Sequence, residues 1–175
     1  MKLIALFLVF LSCGTVFYAQ KPAVPRFSKH KIGSSTVSAY FPVDPPVFDE
    51  SYSQDSSVVI TSESLVGDHS FALVHVDFRD KVTDSLDREA LLISYLDYLQ
   101  QSFAISGSVG YGKGHTLKSN PQAQGIIDFW QDLDENEYSV KGWITESSIS
   151  VFMVYGPGEY PYPVAKELFF EGVRY

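Results

Sequence analysis

Two stretches of this sequence are apolar at nearly every position, and they limit the fold more than anything else in it. One is His69 to Phe78, with Phe71, Ala72, Leu73, Val74, Val76 and Phe78. The other is Ile149 to Tyr155, with Ile149, Val151, Phe152, Met153 and Val154. Each is too short for a membrane span, which needs about 20 apolar residues. Side chains of a strand alternate between two faces. A strand with apolar residues at both parities must therefore be covered on both faces, and one helical layer cannot suffice.

The remaining periodicity supplies the cover. Leu92, Leu96, Leu99 and Phe103 step by four, three and four. Leu91 and Tyr95 widen the stripe, and Asp87, Ser94, Asp97 and Gln101 lie opposite. This predicts an amphipathic helix over about 86–104, capped by Thr83-Asp84-Ser85 and stopped by Gly107. A shorter helix follows Pro161 and Pro163, with Val164, Ala165, Leu168 and Phe169 on one face and Gly172 at its end.

Strands are predicted at 36–41, 58–66, 69–78, 123–131, 138–145 and 149–155, and weakly at 111–118. Gly67-Asp68 forms a hairpin turn. The order is three strands, a long helix, four strands and a short helix. It fits an α+β fold: one antiparallel sheet of six or seven strands with a helix on each face. One domain over 32–175 follows, with a flexible leader over 21–31 carrying Pro22 and Pro25.

Three segments resemble the Mog1/PsbP-like family. Val37-Ser38-Ala39-Tyr40-Phe41-Pro42, followed by Pro45-Pro46, is similar to its opening strand. Phe71 to Phe78 followed by Asp87-Arg88-Glu89-Ala90-Leu91-Leu92 is similar to its strand-then-helix unit. Ala165-Lys166-Glu167-Leu168-Phe169-Phe170 with Glu171-Gly172-Val173-Arg174-Tyr175 is similar to its closing helix and extended tail. The resemblance implies an α/β/α sandwich. Family members include photosystem accessory proteins, a partner of a small GTPase and bacterial envelope proteins, mostly binding or assembly factors without catalysis. Fold likeness alone says little about activity.

The first twenty residues read as a secretory signal peptide. Lys2 supplies a positive charge, Leu3 to Leu11 an apolar core, and Ala19 a small residue at the exit. Ala19-Gln20 resembles the cleavage point of Bacteroidetes-type signals, although Phe17 stands where a small residue is usual. Leu11-Ser12-Cys13 partly resembles a lipobox, which leaves lipidation at Cys13 as an alternative anchor. Cleavage near Ala19 removes the only cysteine. The mature chain of about 155 residues then has no disulfide, but it is long enough to bury a core without one. The expected location is periplasmic or extracellular, in the cell envelope of a bacterium, with no membrane span. The net charge of −8 argues against nucleic acid, whose phosphates reward a basic surface.

No catalytic or cofactor motif is complete. Gly107 to Gly114 nearly spells a P-loop, but Gly114 stands where Ser or Thr must hold magnesium, and the segment leaves a helix instead of entering one. Asp128, Asp132, Asp134, Glu135 and Glu137 suit calcium in composition but lack the EF-hand glycine; a solvated hairpin tip is the plainer reading. His30, His69, His75 and His115 show no metal-ligand spacing, so neither metal nor cofactor is expected.

His75 and Asp77 share a strand face and are candidates for a proton-handling pair, or simply a satisfied polar pair. Tyr155, Tyr160 and Tyr162 flank a Gly/Pro-rich loop and are candidates to contact a protein or glycan partner, or to cover the sheet edge. The expectation is a non-enzymatic exported protein that binds a partner or assists assembly. The alternatives are a hydrolase using His75 and Asp77, and a carrier of a small apolar ligand held near Leu96 and Phe103.

Overall fold

The computed structural model describes residues 24–175; the stretch read as a signal peptide, with Cys13 and Ala19, lies outside them. The two doubly apolar stretches form β5 (His69–Asp77) and β10 (Ser148–Gly156), antiparallel neighbours at the centre of an eight-stranded sheet. Around them lie β3 (Asp49–Tyr52), β4 (Val58–Val66), β6 (Ile105–Ser108), β7 (Gly112–Leu117), β8 (Asn120–Asp132) and β9 (Glu137–Ile144). The order is β3-β4-β5-β10-β9-β8-β6, every pairing is antiparallel, and β7 shares the long β8 with β6. The strand count exceeds the expected six or seven because β3 and β6, four residues each, carry no clear alternation.

Both faces of the central strands are covered. Ala72, Val74, Val151 and Met153 pack with Leu92, Leu96 and Leu99 of α1 (Ser85–Ser102). Phe71, Leu73, Phe152 and Val154 pack with Ala165, Phe169 and Phe170 of α2 (Pro163–Glu171). Phe169 is fully buried and meets Phe71, Phe152 and Phe41 edge-on, with ring centroids 5.1–6.2 Å apart, a geometry that aromatic quadrupoles favour.

Local chemistry sets the boundaries. Asp84 caps α1 by accepting from the amides of Leu86 (2.7 Å) and Asp87 (3.2 Å). The helix ends before Gly107: Ala104 takes a φ of 50° and turns the chain into β6. Gly67, at φ 65°, allows the tight β4–β5 turn.

The strand expected first in the sheet lies outside it. β2 (Ser38–Phe41) pairs with β1 (Ser28–Lys31), four residues of the expected leader, in a separate two-stranded sheet. Ser38 also exchanges backbone hydrogen bonds with Arg174 at 2.9 and 2.8 Å. Ala39 and Phe41 therefore join Val173 and Phe169 in the layer beside α2. The alternation of β2 was genuine, but its apolar residues point into that layer.

Candidate functional site

β9 carries Ser139, Lys141 and Trp143 on the face toward α2. In register, Lys141 lies between Ile127 on β8 and Phe152 on β10, so its side chain starts inside an apolar row. It is 2% exposed. Its Nζ stands 4.6 Å from the centre of the Trp143 ring and 3.9 Å from Oε1 of Glu171. The ammonium has no hydrogen bond to any described residue. Burial pulls the Lys141 pKa below the usual lysine value, and the nearby Glu171 charge opposes that shift only in part.

This face is open enough to be used. Gly125 lies opposite Trp143, and a Cβ there would clash with the indole, so only glycine lets the ring pack over β8. The indole Nε1 donates to the Phe170 carbonyl at 2.7 Å and fixes the end of α2 above the sheet. A pocket of about 230 Å³ remains between them. Lys141, Lys166, His115, Glu167 and Glu171 supply its polar lining, and Ile127, Phe129, Pro163 and Phe170 its apolar walls. Lys166 donates to Ser139 Oγ at 3.2 Å and to Glu159 at 3.4 Å. His115 has its pKa lowered by burial and then by the Lys141 charge, with Glu171 opposing. A wider depression of about 520 Å³ adjoins it, sharing Phe129 and Ser139 and reaching Tyr160.

The structure adds Ser150 to the His75–Asp77 pair. β5 and β10 place Ser150 directly opposite His75. Ser150 Oγ lies 2.8 Å from Nδ1 of His75, and Nε2 lies 3.1 Å from Oδ1 of Asp77. The composition matches a nucleophile–base–acid set. However, His75 and Ser150 are both 0% exposed, and the Tyr175 hydroxyl donates to Ser150 Oγ at 3.0 Å. The seal comes from the α2 side, not from the long helix α1, because His75 shares its face with Phe71 and Leu73.

The three tyrosines do not share a surface. Tyr155 stacks on Tyr138 (4.5 Å, 8°) on the α1 side and donates to Glu63. Tyr160 is 5% exposed on the α2 side, edge-on to Phe71 at 5.0 Å. Tyr162 is half-buried at the start of α2, in an apolar groove with Val24, Phe27 and Leu168. Tyr160 and Tyr162 meet edge-on at 5.7 Å, so it is Tyr155, on the opposite face of the sheet, that stands apart from the other two.

Of the acidic run, Asp128 is buried and accepts from Ser108 Oγ, the amides of Gly110 and Phe129, and Trp130 Nε1 at 2.7–2.9 Å. It holds the glycine-rich 107–114 segment against β8. Asp132 closes the β8–β9 turn on Asn136 and Tyr138. Among the described residues, no group of three or more His, Cys, Asp or Glu could hold a metal ion, and no helix is long and apolar enough to cross a membrane. Leu96, on the inner face of α1, is fully buried, and Phe103 packs against Tyr138 and Tyr155.

Lys141 was missed because a lysine in an alternating strand reads as solvent-facing. The available signal was Trp143, two residues on and therefore on the same face, which marks that face as covered. No protein-family model matches the chain, and no curated protein matches it.

Proposed function

We propose that the chain is an exported, non-enzymatic binding protein of a bacterial cell envelope, periplasmic or extracellular, on a Mog1/PsbP-like α/β/α scaffold. Its ligand or partner is held where α2 crosses β8 and β9. The carrying observation is Lys141, whose side chain is buried in an apolar strand row and whose ammonium, with no hydrogen bond to a described residue, opens on the pocket. A buried charge without a full complement of acceptors costs several kcal/mol, and such costs are retained where function needs them. The antiparallel sheet with a helix on each face supports the scaffold reading. The charged start and apolar run ahead of Ala19 support export.

The hydrolase alternative gains Ser150 beside His75 and Asp77. It requires a carbonyl to reach an Oγ that is fully buried and already bonded to Tyr175. A fluorophosphonate probe should leave Ser150 unlabelled; labelling there would favour the hydrolase.

Native mass spectrometry of the protein purified from its own envelope tests the binding reading. A bound species present in the natural protein and lost in Lys141→Met is expected. Retention of that species in Lys141→Met would move the site elsewhere, and a protein with no bound species would count against the reading. The intact mass also distinguishes cleavage near Ala19 from lipidation at Cys13.

A further inference from the structure

We infer that the pocket beneath α2 takes a small monocarboxylate with an apolar body, its carboxylate seated on the Lys141 ammonium. This rests on the reading of the pocket as a binding site and assigns its ligand class.

The first argument is an ammonium that faces the pocket with no acceptor from the described residues. A lysine ammonium carries three donors and no acceptor. Here no described residue accepts from any of them, and the nearest carboxylate, on Glu171, stops at 3.9 Å. Charge-assisted N–H···O bonds form at about 2.7–2.9 Å, so Glu171 balances the charge without filling a donor. An incoming carboxylate does both. The face of Trp143 at 4.6 Å favours the charged form of the lysine that such a ligand requires.

The second argument limits the ligand's charge. Lys141 and Lys166 line the pocket together with Glu167 and Glu171, and Glu159 also draws on Lys166 from outside. The cations are thus already matched, and burial and Lys141 hold His115 toward its neutral form. A single negative charge can displace the half-exposed Glu171 carboxylate toward water. A dianion such as phosphate would meet net repulsion.

The third argument concerns the body. Ile127, Phe129, Pro163 and Phe170 offer apolar walls, and Phe129 remains 44% exposed. The pocket, about 230 Å³ and open on one side, has room for a small organic molecule. That suits a short aliphatic or single-ring acid.

Titration calorimetry of the mature protein at pH 7 tests this with hexanoate and benzoate against hexanamide, benzamide and inorganic phosphate. The acids should bind at least ten-fold tighter than their amides. Lys141→Met should abolish that preference, and Glu171→Gln, which removes the competing carboxylate, should tighten acid binding several-fold. Lys141→Met needs a cooperative melt to count; Glu171→Gln, at the pocket rim, carries the test by itself. Amides binding as tightly as acids, phosphate outcompeting both, or Glu171→Gln weakening the acids would overturn the assignment. So would the absence of binding by any of the acids. In that last case, a species still retained by the natural protein in native mass spectra would keep the binding site and remove only its ligand class.

Discussion

Tyr175 donates from its hydroxyl to Ser150 Oγ at 3.0 Å, and through that one contact the chain's closing segment reaches the buried centre of the sheet. The donors in this network follow in order. The Asp77 carboxylate only accepts, so His75 Nε2 donates to it; in that tautomer of the neutral ring Nδ1 accepts, and Ser150 donates to it. Burial raises the Tyr175 pKa far above its ordinary value, which keeps the hydroxyl a donor. Each group has a partner, as a buried polar chain requires.

Removing the middle of that chain should be costly. Ser150→Ala leaves both the Tyr175 hydroxyl and His75 Nδ1 buried without partners, which predicts a loss of about 2–4 kcal/mol. Tyr175→Phe removes only a terminal donor and should cost about 1 kcal/mol. Urea denaturation of the two variants checks the ratio. Equal losses would show that Ser150 is not the shared link.

Asp128 predicts a comparable effect from a smaller change. Asp128→Asn keeps the shape but replaces one accepting oxygen with an NH₂ group, which then faces donors on Ser108, Gly110, Phe129 or Trp130. A loss of about 3 kcal/mol is expected. Amide exchange should accelerate first at Gly110, whose N–H depends on this carboxylate at 2.9 Å. Protection at Gly110 equal to that of the natural protein would contradict the assignment.

Tyr160 separates a packing role from a contact role. Its hydroxyl is buried with no partner, while its ring packs on His69, Phe71 and Tyr162. Tyr160→Phe should therefore be neutral or stabilising by up to about 1 kcal/mol. Tyr160→Ser should destabilise by about 3 kcal/mol by emptying the ring's site. A Tyr160→Ser protein with an unchanged melting temperature would return this residue to the surface.

What could be read from the sequence follows from what periodicity encodes. α1, β4 and β9 were legible because burial imposes a period of 3.6 or 2 on their residues, and β5 and β10 because burial on both faces leaves them nearly continuously apolar. Asp49–Tyr52 is exposed at every position and so leaves no pattern to read. The pairing of β5 with β10 is a choice made between strands far apart in the chain, and only that choice brings Ser150 to His75. Lys141 was hidden for a related reason. Its own strand shows a polar residue at a polar parity, and the cover over it comes from α2, more than twenty residues later.

Lys141 joins site and stability in one measurement. Its pKa is lowered from 10.5 by burial, so between the folded value and 10.5 the unfolded chain binds more protons. Stability therefore rises with pH across that window, and the cost of the buried charge is present in full below it. Lys141→Met removes the charge and fills similar space, which predicts a gain of about 1 kcal/mol at pH 7, or about 2–4 °C for a domain of this size. The gain should shrink as pH approaches 10.5. His115 supplies the independent readout. Its folded pKa lies below 6.5, so stability falls as pH drops from 6.5 through that value. The Lys141 charge lowers the His115 pKa and Glu171 raises it; Lys141→Met should accordingly move the His115 NMR titration midpoint up, and Glu171→Gln should move it down. Midpoints that stay fixed in both variants would mean that the three groups do not share one pocket, whatever the melting temperature does.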